Sequence, residues 1–173
     1  MRLFYYLFIT FILISCSNNV ELIFDQDNGG LFLPTGFQSL VVHEGVGQSR
    51  HIAVNENGDI YVKLRLDYGR KGNVALRDKN GDGKADIIQR FGDYPNDGRF
   101  ATEMKINEGY LYYSSERVVY RQKLSSKKLI PDSPVEVILT DPFPIRWHNA
   151  KSIAFDKENN MYVTFSGFTN SCE

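Results

Sequence analysis

Cysteine is scarce: Cys16 and Cys172 are the two in a chain of 173 residues. They make no disulfide framework, so an apolar core has to hold the fold. Charge of one sign is lacking too. Lys and Arg number 20 against 21 Asp and Glu, a net charge of −1, which leaves no basic footprint for nucleic acid. No segment carries helical periodicity, so no amphipathic helix is expected. No apolar run reaches the ~20 residues of a membrane helix. The long run that exists, Leu3–Ile14, is interrupted at Thr10 and has the length of a signal h-region, about a dozen residues.

Met1-Arg2 puts a positive charge ahead of that run, and Leu13-Ile14-Ser15-Cys16 closes it in a sequence that resembles a bacterial lipobox. Residues 1–16 then read as a lipoprotein signal peptide with Cys16 as the lipidated residue, and 17–33 as a polar tether. Residues 34–173 are left as the folded domain. The expected place is outside the cytoplasm, periplasmic or at the cell surface, touching a membrane through the lipid anchor alone. The alternative is an ordinary signal peptide with an incidental cysteine.

Apolar residues make up 42% of the chain and aromatics 13%, mostly Tyr and Phe in strand-like runs, enough for a β-rich core. One pattern recurs: apolar strand, polar turn, apolar strand. It appears as Ile52-Ala53-Val54 before Ile60-Tyr61-Val62, with Asn55 to Asp59 between. It returns as Met104-Lys105-Ile106 before Tyr110-Leu111-Tyr112, and as Ile153-Ala154-Phe155 before Met161-Tyr162-Val163. The turns have the Asn, Asp and Gly chemistry of hairpins. A spacing of about 50 residues in an all-β pattern means propeller blades.

The spacing predicts two full blades. The first has strands over Ile52–Val54, Ile60–Lys63, Val74–Arg77 and Ile87–Phe91. The second has strands over Met104–Ile106, Leu111–Ser114, Val118–Gln122 and Val135–Leu139. A third begins with Ile153–Phe155 and Met161–Phe165. Phe37–Val42 is predicted to be an outer strand placed to close the ring. Two and a half blades cannot close one, because propellers have four to eight. The expectation is an all-β, partial β-propeller that is the N-terminal part of a longer protein.

Asp78-Lys79-Asn80-Gly81-Asp82-Gly83-Lys84-Ala85-Asp86 offers oxygen ligands at positions one, three and five, Gly at six and a backbone carbonyl at Lys84. That spacing suits a hard cation such as Ca²⁺. Gln89 stands where an EF-hand has Glu, and the flanks read as strands. With Asp86 at position nine the loop is similar to those of integrin-type propellers. The metal candidates are Asp78, Asn80, Asp82, Lys84 and Asp86, a structural site away from any active site. The alternative is a Gly/Asn-rich hairpin turn without metal.

With blade strands lettered a to d from the axis outward, the loops from d to the next a share a face with the b–c loops. The d–a segments carry Gln48, Arg50 and His51, then Arg99, Thr102 and Glu103, then Arg146, Trp147, His148, Asn149 and Lys151. The b–c loops add Arg65, Asp67, Arg70 and Lys71, then Glu116 and Arg117, then Asn170. Many cations with a His suit an anionic ligand. His148 is the candidate base, since imidazole titrates near working pH. It could instead cap a strand or pack beside Trp147.

The run Trp147-His148-Asn149-Ala150-Lys151-Ser152-Ile153-Ala154-Phe155-Asp156, with Met161-Tyr162-Val163 and Asn170-Ser171-Cys172-Glu173, resembles the sorbosone dehydrogenase family. Those proteins are similar to the soluble quinoprotein glucose dehydrogenases. The segments 74–86 and 109–115 resemble the same family. The resemblance implies a six-bladed propeller that binds pyrroloquinoline quinone (PQQ) over its central channel. It implies that His148 takes the proton of a sugar hydroxyl or aldehyde hydrate while hydride passes to the quinone and Ca²⁺ polarises it. Arg146, Asn149 and Lys151 would bind the cofactor. The partners implied are a small sugar or aldehyde and an electron acceptor that the resemblance does not name.

Two other readings stand beside the sugar dehydrogenase. One is a non-catalytic, lipid-anchored propeller that binds glycan or protein, since fold does not set function. The other is a Ca²⁺-dependent hydrolase of the lactonase kind, for which the d–a segments offer Glu103 and Asn149.

Overall fold

A computed structural model describes residues 22–68, 71–93, 103–142 and 151–165; the side chains of 66–68 and 93 lie outside the description. Ten strands follow in order: β1 (Ser49–Val54), β2 (Ile60–Tyr68), β3 (Lys71–Arg77), β4 (Ile87–Asp93), β5 (Glu103–Asn107), β6 (Tyr110–Ser114), β7 (Val118–Lys123), β8 (Glu136–Thr140), β9 (Ile153–Phe155) and β10 (Met161–Val163). β1–β4 form one antiparallel meander, β5–β8 a second, and β9–β10 a hairpin. The fold is an all-β partial propeller of two four-stranded blades and the opening hairpin of a third. Its helical content among the described residues is one 3-10 turn, Asn28–Gly30.

Period-two alternation builds the stack. In β2, Tyr61 faces a core shared with the second blade, and Val62 and Leu64 face the opposite way. In β6, Leu111 and Tyr113 face the first blade while Tyr112 packs towards the hairpin. β7 repeats this: Val118 and Tyr120 one way, Val119 the other. Both faces of the middle strands are therefore buried. Each such Tyr, Leu or Val contributes about 1.5–3 kcal/mol by leaving water.

The seam between the blades is tied by polar contacts as well. The Tyr61 hydroxyl donates to the Leu129 carbonyl at 2.9 Å, and its ring meets Phe91 edge-on at 6.1 Å. Burial pushes the Tyr61 phenol up to about 12, with the Asp59 carboxylate adding to the shift. Tyr112 packs on Phe155 with ring centroids 4.8 Å apart, which seats the third hairpin on the second blade.

The a–b turns use their local chemistry. Glu108 and Gly109 both take positive φ, 47° and 72°, the geometry of a two-residue primed turn between β5 and β6. Asp156 Oδ1 accepts the N–H groups of Glu158 and Asn160, which leaves Asn159 in the left-handed region at φ 65°.

Phe37–Val42 is not a strand. Its backbone is claimed by another partner set: Ser39 N–H donates to Asn28 Oδ1, Val41 N–H to Asp25 Oδ2, and the Val42 carbonyl accepts from Ala85 N–H. Residues 22–47 thus form a strap over the first blade. Val46 packs on the outer core of Val62, Leu64, Val74 and Leu76. Two other boundaries differ. Arg65 and Asp67, expected on a b–c loop, lie within β2, because its ladder with β3 continues to the pair Tyr68 and Lys71. β10 ends at Val163, and Thr164 continues as N–H donor to the Ser152 carbonyl.

Candidate functional site

His148, Arg146 and Asn149 lie outside the described residues, as do Trp147, Arg99, Thr102, Arg70 and Asn170. Cys16 does too. Lys151, His51, Glu103, Arg50 and Arg117 are described: Arg50 and His51 lie in β1, Glu103 in β5, Arg117 in the turn before β7 and Lys151 just before β9.

Lys151 is fully buried two residues before β9. Its Nζ stands 3.0 Å from Asp141 Oδ2, itself buried, and 5.2 Å from the centre of the Phe165 ring. Asp141 is placed by the b–c turn of the second blade: its N–H donates to the Arg117 carbonyl at 2.7 Å. The ammonium of Lys151 is thus already met by a carboxylate.

His51 opens the first blade at its inner strand, and Glu103 opens the second. His51 Nδ1 is 3.1 Å from Glu103 Oε1. The same oxygen accepts the Met104 N–H at 3.0 Å, and Lys105 Nζ lies 3.9 Å away. Both residues were expected on d–a loops; they sit instead in β1 and β5, where the sheet fixes their Cα positions.

Two further polar residues line this seam that sequence pattern did not single out. Lys63, in β2, is buried and donates to the Gly72 carbonyl at 3.0 Å. Asn73, in β3, is wholly buried, and neither amide atom has a hydrogen-bond partner among the described residues. Their signal is a polar residue on the inward register of an otherwise apolar strand.

The Asp-rich loop joins β3 to β4. Asp78 Oδ1 accepts the N–H groups of Asn80 and Gly81, and its Oδ2 that of Gly83. Asp82 Oδ1 accepts from Lys84 N–H, and Asp86 Oδ2 from Lys79 N–H. Partial desolvation acts to raise the Asp78 carboxyl, but the Gly83, Gly81 and Asn80 N–H groups together outweigh it and hold the group below its ordinary range. The Lys84 side chain turns to Asp25 of the strap at 3.1 Å. Among the described residues no three His, Cys, Asp or Glu side chains converge as a metal cluster. The loop's carboxylates close on its own backbone, the geometry of a hydrogen-bonded turn. A cleft of about 600 Å³ opens between strap and loop, lined by Asp25, Asp27, His43, Glu44 and Lys84 among others.

No family profile and no curated protein matches the sequence. Solved structures do match in fold. The holo form of the pyranose dehydrogenase PQQ domain from Coprinopsis cinerea superposes with a TM-score of 0.57 at 12% identity, over 75% of this chain and 30% of that one. The calcium structure of the Trichoderma reesei carbohydrate-active enzyme of family AA12 superposes with a TM-score of 0.57 at 17% identity, over 76% of this chain and 32% of that one. The chain spans about a third of the length of these structures. The blade order, the meander within each blade and these superpositions agree: in fold, this chain is similar to the β-propellers of PQQ-domain sugar dehydrogenases.

Proposed function

We propose that this chain supplies the N-terminal blades of a PQQ-dependent sugar dehydrogenase that takes a small sugar or aldehyde. The observation that carries the reading is the superposition of 75% of this chain on a PQQ domain, with a TM-score of 0.57. His148 takes the hydroxyl proton in this reading. Arg146 would hold a carboxylate of the cofactor and Asn149 would bind the cofactor beside it. When bound, the quinone supplies the hydride acceptor. Lys151 is engaged by Asp141, so its part is to fix the entry to β9. Ca²⁺ in the 78–86 loop would be held by Asp78, Asn80, Asp82, Asp86 and the Lys84 carbonyl, since a carboxylate oxygen that accepts a backbone N–H keeps a further lone pair for a cation, and its role there would be structural.

The test adds PQQ to the full-length gene product and follows the quinone absorbance, then dye reduction with aldoses and sorbosone. Dye reduction that is lost in His148→Asn supports the reading. An unchanged quinone spectrum with folded protein moves the weight to a glycan-binding or protein-binding propeller. That second reading draws on the pairing of Lys151 with Asp141 and of His51 with Glu103.

The leader carries a separate proposal: lipidation at Cys16 anchors the protein outside the cytoplasm. Detergent-phase partitioning that is lost in Cys16→Ser supports it, and partitioning that persists removes it. No helix among the described residues is long and apolar enough to cross a membrane.

A further inference from the structure

Of the twelve large apolar side chains exposed among the described residues, six lie in the strap: Leu22, Ile23, Phe24, Leu31, Phe32 and Phe37. Three of these crowd one uncharged stretch, Leu31-Phe32-Leu33-Pro34-Thr35-Gly36-Phe37. The stretch is a loop closed by a tight turn: the Phe37 N–H donates to the Pro34 carbonyl at 3.1 Å, and Gly36 takes φ 92°. The Phe32 ring is fully exposed, at 105%. Single exposed apolar residues are ordinary, but a cluster of them marks a surface that meets a partner.

The neck of the loop is fixed. Asp25 N–H donates to the Ser39 carbonyl, and Asp25 Oδ2 accepts the Val41 N–H at 2.6 Å. Asn28 Oδ1 accepts the Ser39 N–H, and Ser39 Oγ donates to the Asn28 carbonyl at 2.6 Å. Below it, Leu22 and Leu40 close on Gly83 of the first blade. The apolar tip is therefore presented to solvent by a tied frame.

Two observations choose what covers it. Leu22 follows Cys16 by six residues, which extended chain spans in about 20 Å at most. A lipid on Cys16 keeps the start of the strap within that distance of the bilayer, and tethering makes even weak insertion an intramolecular event. Residues 22–47 carry Asp25, Asp27 and Glu44 but no Lys or Arg, so the attraction is apolar and draws nothing from anionic headgroups.

We propose that the 31–37 loop is a second membrane contact, with Leu31, Phe32 and Phe37 entering the headgroup region of the bilayer that holds Cys16. The proposal rests on the lipidation reading for its proximity. Insertion is shallow, because the loop's backbone N–H and carbonyl groups need water. The contact fixes the orientation of the first blade on the membrane, which a lipid alone does not.

The test reconstitutes the full-length gene product from membranes into phosphatidylcholine vesicles, with Phe32→Trp as reporter. That side chain is fully exposed, so the change spares the fold. Wild-type protein, with Trp147, supplies the background. Doxyl lipid is expected to quench the introduced indole, more from a label near the headgroup than from one at the chain end. Adding Phe37→Ser is expected to lower the inserted-to-free ratio about tenfold. Val137→Trp, exposed on β8 of the second blade, is expected to stay unquenched. Anchored protein without quenching overturns the contact and leaves lipidation of Cys16 intact. Equal quenching of the two reporters overturns the loop as the point of contact. In lipid-free Cys16→Ser protein the Phe32→Trp indole is expected to be open to iodide; an indole shut off from iodide means that protein covers the loop and overturns the contact. Partitioning that persists in Cys16→Ser removes the lipidation reading, and the proposal falls with it.

Discussion

The Nζ of Lys151 stands 3.0 Å from Oδ2 of Asp141, and both side chains are shut off from solvent. The pair joins the end of the second blade to the start of the third hairpin. Removing one partner strands the other charge in a low-dielectric site, at a cost of about 3–5 kcal/mol. Asp141→Asn and Lys151→Met are each expected to lose that much in urea unfolding. The double change Asp141→Leu with Lys151→Met is expected to recover a large part of it. A double variant as unstable as the sum of the singles would count against the pair as the dominant contact.

Arg77 grips Asp59 in a bidentate geometry, Nε to Oδ1 and Nη2 to Oδ2, both at 2.6 Å. This fastens the first a–b turn to the end of β3. Asp59 is buried and Arg77 about a quarter exposed, 27%. Lysine cannot reproduce the fork. Arg77→Lys is expected to lose about 1–2 kcal/mol, the strength of one charge-assisted bond, and Arg77→Met more. Thermal unfolding of the two variants side by side checks the order.

Gly83 is where the Asp-rich loop meets the strap. A Cβ there would stand 2.6 Å from Leu40 Cδ2 and 3.0 Å from Leu22 Cδ2, at φ +91°. Gly58 also has positive φ, +87°, but open space around it. Gly58→Ala therefore measures backbone strain alone, about 1 kcal/mol. Gly83→Ala adds a push on the Leu40 and Leu22 side chains, about 1 kcal/mol or less because their ends can shift, and is expected to loosen the strap. Limited proteolysis within residues 22–47, faster in Gly83→Ala than in Gly58→Ala, would confirm it.

Asp78 ties pH to the same loop. Its folded carboxyl titrates below the ordinary value of 3.8, so folding favours the ionised form. Its contribution is fully present above the unfolded value and is lost as pH falls through the lower folded value. Asp78→Asn is expected to flatten the acid limb of the stability curve below about pH 4. An acid limb unchanged in the variant would assign that limb to other carboxylates, Asp156 first, which Asn160 also holds below its usual range.

The strands were legible because alternation is local. Tyr61 and Val62 face opposite cores for no reason beyond the pleat, and the same holds for Tyr112 and Tyr113. The turns were legible because Asn55, Glu108-Gly109 and Asp156 carry their own hydrogen-bond chemistry. Phe37–Val42 misled because its apolar run resembles a strand, while its N–H and carbonyl groups are met by Asp25, Asn28 and Ala85. No local pattern announces a partner that lies many residues away.

Sequence by itself determined the blade repeat, the all-β class and the positions of the hairpins, since each depends on side chains two to five residues apart. Tertiary structure alone decided which polar residues meet. His51 and Glu103 are 52 residues apart in sequence order yet 3.1 Å apart in space, because consecutive blades set their inner strands side by side. Lys63, Asn73 and Asp141 are polar residues of ordinary appearance in the sequence, and burial is what gives them their consequence. Electrostatic meaning depends on distance and on water, and the stacking of the blades sets both.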